Sequence, residues 1–350
     1  MKKISIVILN WNGRKMLEKF LPSVVEHSVF RDEKASLESE VVIADNGSTD
    51  DSLTFLSEHY PTLRVIALDK NYGFADGYNR ALQQIDSDYY VLLNDDVEVT
   101  AHWIQPVVTQ LEMNSNTAVA QPKLLMYDQR DTFEYAGGAG GFIDKYGYPF
   151  CRGRLFTTLE KDNGQYDDCR EIFWASGAAM FVKAEVWKEI GGLDSDFFAH
   201  MEEIDFCWRA RNSGYRVVYV PTSKVYHVGG GTLPKSSPRK TYLNFRNNMA
   251  LLYKNLPQGR LWWTLSMRIV LDYVAGLKFL AEGHPKELKA VAEAHRDFYK
   301  WMPRLKVKRY RKQKHQRVGC IYEGLLLLQY YLLRKKKFSD LKLDEDDLRG

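Results

Sequence analysis

A chain of 350 residues is long enough to bury one large core or two smaller ones. Its 45% hydrophobic and 27% charged composition is that of an ordinary folded protein and excludes a disordered one. The net charge of +4 is modest but uneven: from Lys300 to Lys337 thirteen Lys or Arg stand against one acidic residue, Glu323. Such a block suits nucleic acid, anionic lipid or a solvated face. The four cysteines, Cys151, Cys169, Cys207 and Cys320, have neither metal-ligand spacing nor the density of a disulfide framework, so a reducing, cytoplasmic setting is expected.

The opening MKKISIVILNWNG has too short an apolar run for a signal-peptide core and reads as a first strand. ISIVILN (4–10), EVVIADN (40–46), RVIALD (64–69) and YYVLLN (89–94) are short, nearly continuous apolar runs. They alternate with the helical patterns MLEKFLPSVVEHS, SLTFLSEHY and FADGYNRALQQI. That alternation predicts an α/β fold, with a mostly parallel sheet covered by helices on both faces and right-handed crossovers. Ligands of such sheets bind at the carboxyl ends of the strands. Asn10-Trp11-Asn12, Asp45-Asn46-Gly47-Ser48 and Asn94-Asp95-Asp96 each stand at such an end.

Residues 131–170, rich in Gly and Tyr, read as a long loop region. FWASGAAMFVKAEVWKEIGGLD reads as strand then helix, and EEIDFCWRARNSG as a helix stopped by Gly214. YRVVYVPTSKVYH is extended, Pro221 marking an edge or a break. GGGT (229–232) begins a flexible passage and YLNFRNNMALLYKNL resumes helix. Beyond about residue 258, LWWTLSMRIVLDYVAGLKFLAEG and GCIYEGLLLLQYYLL are strongly apolar and aromatic. The second falls short of the roughly 20 residues needed to span a bilayer. An amphipathic helix lying in the interface is one reading; the equal alternative packs both helices on the preceding domain.

The carboxylates carry the chemistry. Asp95 and Asp96 repel each other, so a strand end holding both calls for solvent, backbone donors or a cation. Mg²⁺ or Mn²⁺ is commonly held by one or two carboxylates plus substrate phosphates; a plain turn is the alternative. No G-x-x-x-x-G-K-[ST] or G-x-G-x-x-G follows the first strand. Asp45 can accept from a base N–H or a ribose hydroxyl, while Ser48 to Asp51 could simply cap the next helix. Glu202, Glu203 and Asp205 open a helix, where the dipole and an Asp205–Arg209 pair account for them structurally. Their functional reading is a general base tuned by burial. His227 is a candidate ligand or donor, although a lone histidine is more often structural.

Taken in order, SIVILNWNG, VVIADNGSTDDS, NYGFADGYNRA, LLNDDV, ASGAAMFVKAEVWKEIGGLDSDFF, EEIDFCWRARNSGYRV and VYHVGG resemble the family 2 glycosyltransferases of the GT-A fold, over roughly residues 4 to 250. The likeness is greatest to the rhamnosyltransferase-like group, where LLNPDV commonly stands at Leu92 to Val97. The resemblance implies a GT-A catalytic domain over 1–250 and a helical, basic extension over 251–350. It implies an inverting, divalent-metal-dependent transfer of a sugar from a nucleotide-diphosphate sugar to an acceptor hydroxyl, in cell-surface polysaccharide or glycolipid assembly. By position, Asn10, Asn12, Asp45, Asn46, Asn71, Gly73, Asn79, Asn94, Asp95 and Arg246 would meet the nucleotide-sugar, and Asp96 and His227 a Mn²⁺ or Mg²⁺ ion. Glu203 would be the base; Glu stands there in place of the family's usual Asp, which leaves Glu202 and Asp205 as alternatives. Tyr146, Tyr148 and Phe150 are available to stack on sugar rings.

The implied acceptor is a saccharide or a lipid-linked one. The aromatic and leucine-rich flanks of the basic block favour an anionic membrane surface over nucleic acid, hence a peripheral place on the inner face of the cell membrane. A nucleotidyltransferase would carry a Gly-rich loop where this chain has NWNGRKM, and a processive synthase a Gln-x-x-Arg-Trp motif that residues 258–262 lack. A non-catalytic nucleotide-sugar-binding or scaffolding protein of the same fold is the remaining alternative, favoured only by Glu at 203.

Overall fold

The computed structural model describes residues 1–229, 237–309, 318–341 and 343. Its first half runs β1 (Lys2–Asn10), α1 (Arg14–Ser28), β2 (Phe30–Asp32), β3 (Leu37–Asp45), α2 (Ser52–His59), β4 (Arg64–Ala67), α3 (Gly73–Leu82), β5 (Tyr89–Leu93), β6 (Val97–Val99), α4 (Gln105–Met113) and β7 (Thr117–Met126). Four short strands follow, β8 (Gly141–Asp144), β9 (Pro149–Cys151), β10 (Arg154–Leu155) and β11 (Thr158–Leu159). Then come β12 (Arg170–Ile172), β13 (Ala179–Lys183), α5 (Ala184–Ile190), α6 (Glu202–Asn212) and β14 (Arg216–His227). Helices α7 (Pro238–Asn255), α8 (Gln258–Ala281) and α9 (Pro285–Lys308) and the short β15 (Ile321–Tyr322) complete it.

The main sheet has the order β12-β14-β7-β13-β5-β1-β3-β2, with β4 also on β3 and β6 on β14. β5, β1, β3 and β4 run parallel, as the alternating pattern predicts. β13 lies antiparallel to both β5 and β7, so the sheet as a whole is mixed. Both faces are buried, which is why the strands read as continuous apolar runs. Ile4, Ile6 and Ile8 pack with α1, α2 and α4 on one face; Val7, Val42 and Leu92 pack with α3, α5 and α6 on the other. The register between β14 and β7 shifts between Val220 and Lys224. Pro221, which has no N–H to donate, lies in that irregularity.

Residues 131–170 are more than a loop: β8 to β11 within them join β15 in a second sheet of order β11-β10-β9-β8-β15. Its glycines permit close packing: a Cβ on Gly141 would lie 2.1 Å from the Trp174 ring, and one on Gly153 2.4 Å from Phe133. Nor are Tyr148 and Phe150 open for stacking on a sugar. Phe150 is buried against Phe142, Tyr322 and Phe338, and the Tyr148 ring lies 3.8 Å beneath the Arg268 guanidinium.

Residue 250 falls within α7, and the chain after residue 318 returns to the small sheet. β15 pairs with β8, and the Leu326 N–H donates to Asp144. Of the two apolar stretches expected as helices, the first is α8, which packs on the rest of the molecule through Leu261 and Leu265, as α9 does through Val291 and Phe298. The second is no α-helix but β15 followed by a short π-helical turn at Leu328–Leu332, with Leu326 and Tyr330 buried. Of the two passages read as flexible or basic, residues 230–232 and 310–317 lie outside the described residues.

The α6–α7 contact is ionic. Asp205, fully buried, accepts from Arg209 Nε at 2.8 Å, Lys254 Nζ at 2.9 Å and Asn255 Nδ2 at 2.8 Å. Lys254 also reaches Asp194 at 2.5 Å. A buried pair that loses one partner leaves an uncompensated charge. Lys254→Met should therefore destabilise the fold by about 3–5 kcal/mol, measured by urea unfolding; a change near zero would contradict this role.

Candidate active site

Asn10 and Asp45 are the last residues of neighbouring parallel strands and face each other in register. Asn10 Nδ2 donates to Asp45 Oδ1 at 2.9 Å and to Ser48 Oγ at 3.1 Å, and the Ser48 N–H donates to Asp45 Oδ2 at 3.0 Å. Asp45 is 1% exposed, and each of its oxygens keeps one further lone pair. Several residues expected to meet a nucleotide instead build these loops. Asn12, at φ +53°, accepts from the Thr49 N–H at 2.7 Å. Asn46 donates to Asn71 Oδ1 and to the Gly73 carbonyl, and accepts from the Tyr72 N–H. Gly73 needs its φ of +77°, and a Cβ there would meet the Phe198 ring at 2.9 Å. Asn79 clamps both backbone groups of Leu193, at 2.7 and 3.0 Å.

The Asn94-Asp95-Asp96 turn follows β5. Gly13 lies beneath it: a Cβ there would stand 2.3 Å from Asp95 Oδ2 and 2.5 Å from Asn10 Oδ1. The two oxygens thus converge on one spot, and Asn10 Oδ1 is buried with no hydrogen-bond partner among the described residues. Burial, then the neighbouring Asp96, pushes the Asp95 carboxyl up to about 7. Asp96 behaves oppositely. Burial would raise its carboxyl, but His227, with Nε2 at 3.0 Å from Oδ1, outweighs burial and holds it low. The Gly229 N–H adds a bond to Oδ2 at 3.2 Å. Burial opposes charge on His227 as well; Asp96 and then Glu134 prevail and push the imidazole up to about 10. Its Nδ1 faces Glu134 Oε1 at 3.4 Å, long for a hydrogen bond.

A divalent cation fits this donor set. Asp96 Oδ1 and His227 Nε2 face one another, the orphaned Asn10 oxygen and the repelled Asp95 carboxylate stand near by, and both Asp and His are common ligands. Among the described residues no group of three or more His, Cys, Asp or Glu is placed to hold a metal ion.

Glu202 and Glu203 reach the same edge by a short backbone path. The Asn94 N–H donates to the Ala178 carbonyl at 3.1 Å, and a Cβ built on the preceding residue, Gly177, would lie a tight 3.1 Å from the Phe74 ring and 3.9 Å from the Glu203 Cβ. Each glutamate has its Oε2 buried without a partner among the described residues. Burial is the main force raising both carboxyls, Glu203 to about 7 and Glu202 well above the usual range, the latter also through Glu203. Glu202 is 5% exposed, whereas Glu203 is half-buried and the better placed to meet a second molecule. Asp205 is no base: burial opposes its charge, yet Lys254 and Arg209 hold its carboxyl low, and its oxygens are committed to them and to Asn255.

The turn leading to Glu202 is strained. Phe198, His200 and Met201 all have positive φ, at +66°, +69° and +75°. Asn247 of α7 holds it, donating from Nδ2 to the carbonyls of Phe197, Ala199 and His200 at 2.8 to 3.0 Å. Arg246, expected at the ligand, donates to Asn247 Oδ1 and lies 4.7 Å from the Trp301 ring. It supports the turn through Asn247. Gly13, Glu134 and Asn247 are the residues that sequence reasoning missed. NWNG and NFRNN, the stretches holding Gly13 and Asn247, were the signals.

A sheet with helices on both faces and paired carboxylates at its C-terminal edge is the framework of a GT-A enzyme. Residues 5–170 match the Glycosyl transferase family 2 model. The N-acetylglucosaminyl-diphospho-decaprenol L-rhamnosyltransferase of Mycobacterium tuberculosis is 25% identical over 240 residues, 64% of this chain and 75% of that protein. The structure of GalNAc-T7 with UDP, GalNAc and Mn²⁺ has a TM-score of 0.56 at 17% identity, over 87% of this chain and 56% of that one. That of S. aureus TarS 1-349 with UDP-GlcNAc has a TM-score of 0.55 at 16% identity, over 87% and 83%. The fold is GT-A, and residues 5–170 carry a glycosyltransferase family 2 domain.

The raised Glu203 carboxyl gives a signed prediction. Its folded value of about 7 lies above the ordinary 4.5, so its favourable contribution is complete at low pH and is lost as pH rises through that interval. Glu203→Gln should therefore gain melting temperature over the wild type progressively from about pH 5 to about pH 8. A difference that shrinks or stays flat over that range would contradict the assignment.

Proposed function

We propose that the chain is an inverting, metal-dependent transferase that moves a sugar from a nucleotide-diphosphate sugar onto an acceptor hydroxyl, in the assembly of a cell-surface polysaccharide or glycolipid. The observation that supports this reading is the contact at the carboxyl end of β5, where the Asn94 N–H donates to the Ala178 carbonyl and the neighbouring Gly177 lies against the stem of the half-buried Glu203. Asp45 and the Asn10–Ser48 network would receive the nucleoside. Asp96 and His227 would hold Mn²⁺ or Mg²⁺ against the diphosphate, with Asp95 beside them. Such an ion supplies Lewis-acid neutralisation of the charge that builds on the leaving group.

Glu203 acts as general base. Its carboxylate takes the acceptor proton as the acceptor oxygen attacks the anomeric carbon, and the bond from that carbon to the diphosphate breaks with its electron pair leaving on the nucleoside diphosphate. A single displacement inverts the anomeric centre and needs no covalent enzyme intermediate. A carboxyl near 7 is half-ionised at neutral pH, where a general base is most useful. The rhamnosyltransferase relative is named for a diphospho-decaprenol acceptor; a lipid-linked saccharide is the acceptor class proposed here, which would bring the enzyme to a membrane surface.

Glu203→Gln separates binding from turnover. Thermal shift with UDP, dTDP, GDP and CDP in the presence of Mn²⁺ should show the same response to the same nucleotide in wild type and variant. Transfer from the matching donor should fall by about 10²–10⁴. Turnover retained within a few-fold would rule Glu203 out as the base.

A further inference from the structure

A surface helix ordinarily turns its charges to water and its apolar stripe to the core. Helix α8 departs from this: beside the buried Leu261 and Leu265 it turns charge inward, and it turns a second apolar stripe outward. Its inward face carries Arg268 and Asp272, 4% and 0% exposed, paired at 2.6 Å and joined at 3.1 Å by His295 of α9. Arg268 reaches on to the Tyr146 carbonyl and Asn248, so the inward charges are satisfied. The outward face carries Trp263, Val270, Tyr273, Val274, Leu277 and Leu280, between 42% and 68% exposed. At about 100° per residue these six fall within one arc of roughly 120°. No charged residue of α8 lies in that arc. Arg260 and Lys278 flank it, each paired to an acid, Glu323 and Glu282.

The stripe continues in the last described segment. Lys278 Nζ lies 5.9 Å from the Tyr331 ring. Tyr331, Leu332 and Leu333 are 49%, 73% and 57% exposed. Arg334, Lys335, Lys336 and Lys337 follow them directly. None of these four side chains forms an ion pair among the described residues; Lys336 Nζ turns onto the Tyr330 carbonyl at 3.2 Å and lies over the Tyr330 ring, and the nearby Asp340 carboxylate accepts from the backbone N–H groups of Lys336 and Lys337. An aromatic and aliphatic face thus runs straight into a cationic stretch that forms no ion pair among the described residues.

We infer that this face docks on a bilayer surface rich in anionic lipid. α8 lies in the plane of the interface with its stripe among the acyl chains, and Arg334–Lys337 meet the headgroup phosphates. Among the described residues no helix is long and apolar enough to cross a membrane, so the contact is interfacial. Charge selects lipid over a second copy of the chain. A second copy brings the same cations, whereas anionic headgroups neutralise them. As the meeting place for a lipid-linked acceptor the surface rests on the function proposed above; the docking itself is read from α8 and is tested without donor or acceptor.

The experiment is co-sedimentation of the full chain with phosphatidylcholine vesicles, with and without about 30% phosphatidylglycerol. The expected result is salt-sensitive binding to the anionic vesicles with a blue shift of tryptophan emission. The double variant Val270→Asp, Leu277→Asp should bind about tenfold or more weakly at unchanged melting temperature. Changing Lys335, Lys336 and Lys337 to Gln should remove the preference for phosphatidylglycerol. Absence of wild-type binding, or equal binding by the double variant, would overturn the inference. So would a dimer in solution that the double variant dissolves while vesicles are ignored. Loss of nucleotide binding in the same preparation would bear on the transferase reading and leave the docking result standing.

Discussion

Two adjacent carboxylates at the end of a fully buried strand set the terms for the rest of the molecule. Asp95 and Asp96 cannot both ionise in that setting without compensation, and the protein treats them unequally. Asp96 receives an imidazole and a backbone N–H; Asp95 is left against Gly13 with its carboxyl pushed up to about 7. An arrangement that leaves one carboxylate unrelieved and one buried amide oxygen orphaned is unfavourable for the fold alone. It is reasonable where a cation and a diphosphate arrive together, since the ligand then supplies what the protein withholds.

Everything around the pair keeps it in place. The loops after β1 and β3 are stitched to one another by Asn10, Asn12 and Ser48, and the loop before α3 is tied to them by Asn46. On the other side, three residues in left-handed conformation lead into Glu202 and Glu203, and α7 holds them with a single asparagine. The Asp194–Lys254–Asp205 network fixes α7 to α6, so the helix that carries the glutamates and the helix that restrains their approach turn are coupled. α8 is attached to the small sheet by Arg268 at the Tyr146–Tyr148 turn. The C-terminal helices therefore act as a frame for the catalytic half while presenting an apolar stripe outward.

The parallel half of the sheet was legible because its strands are buried on both faces and end in polar clusters, which leaves a periodicity and a punctuation in the sequence. The small sheet was hidden. β8 to β11 are two to four residues long and interrupted by glycines needed for close packing, and one partner, β15, comes from residues 321–322. Asp96, His227 and Glu203 were expected because strand ends, a helix start and a family pattern mark them, and the fold brings Asp96 and His227 face to face. Asp205 could not be separated from Glu203 by spacing, since what commits it is Lys254 and Asn255, residues on another helix. The asparagines of the donor loops were read as ligand contacts; in the folded chain Asn12, Asn46 and Asn79 also bond backbone groups that sequence spacing does not bring near.

The most direct test of the account is Mn²⁺ binding followed by electron paramagnetic resonance in the presence of the nucleoside diphosphate that the protein prefers. The account predicts one nucleotide-dependent Mn²⁺ site per chain, weakened by at least about tenfold in both Asp96→Asn and His227→Ala. Unchanged Mn²⁺ affinity in both variants, or no nucleotide-dependent site in the wild type, would contradict the claim that the buried carboxylate pair is built around a cation.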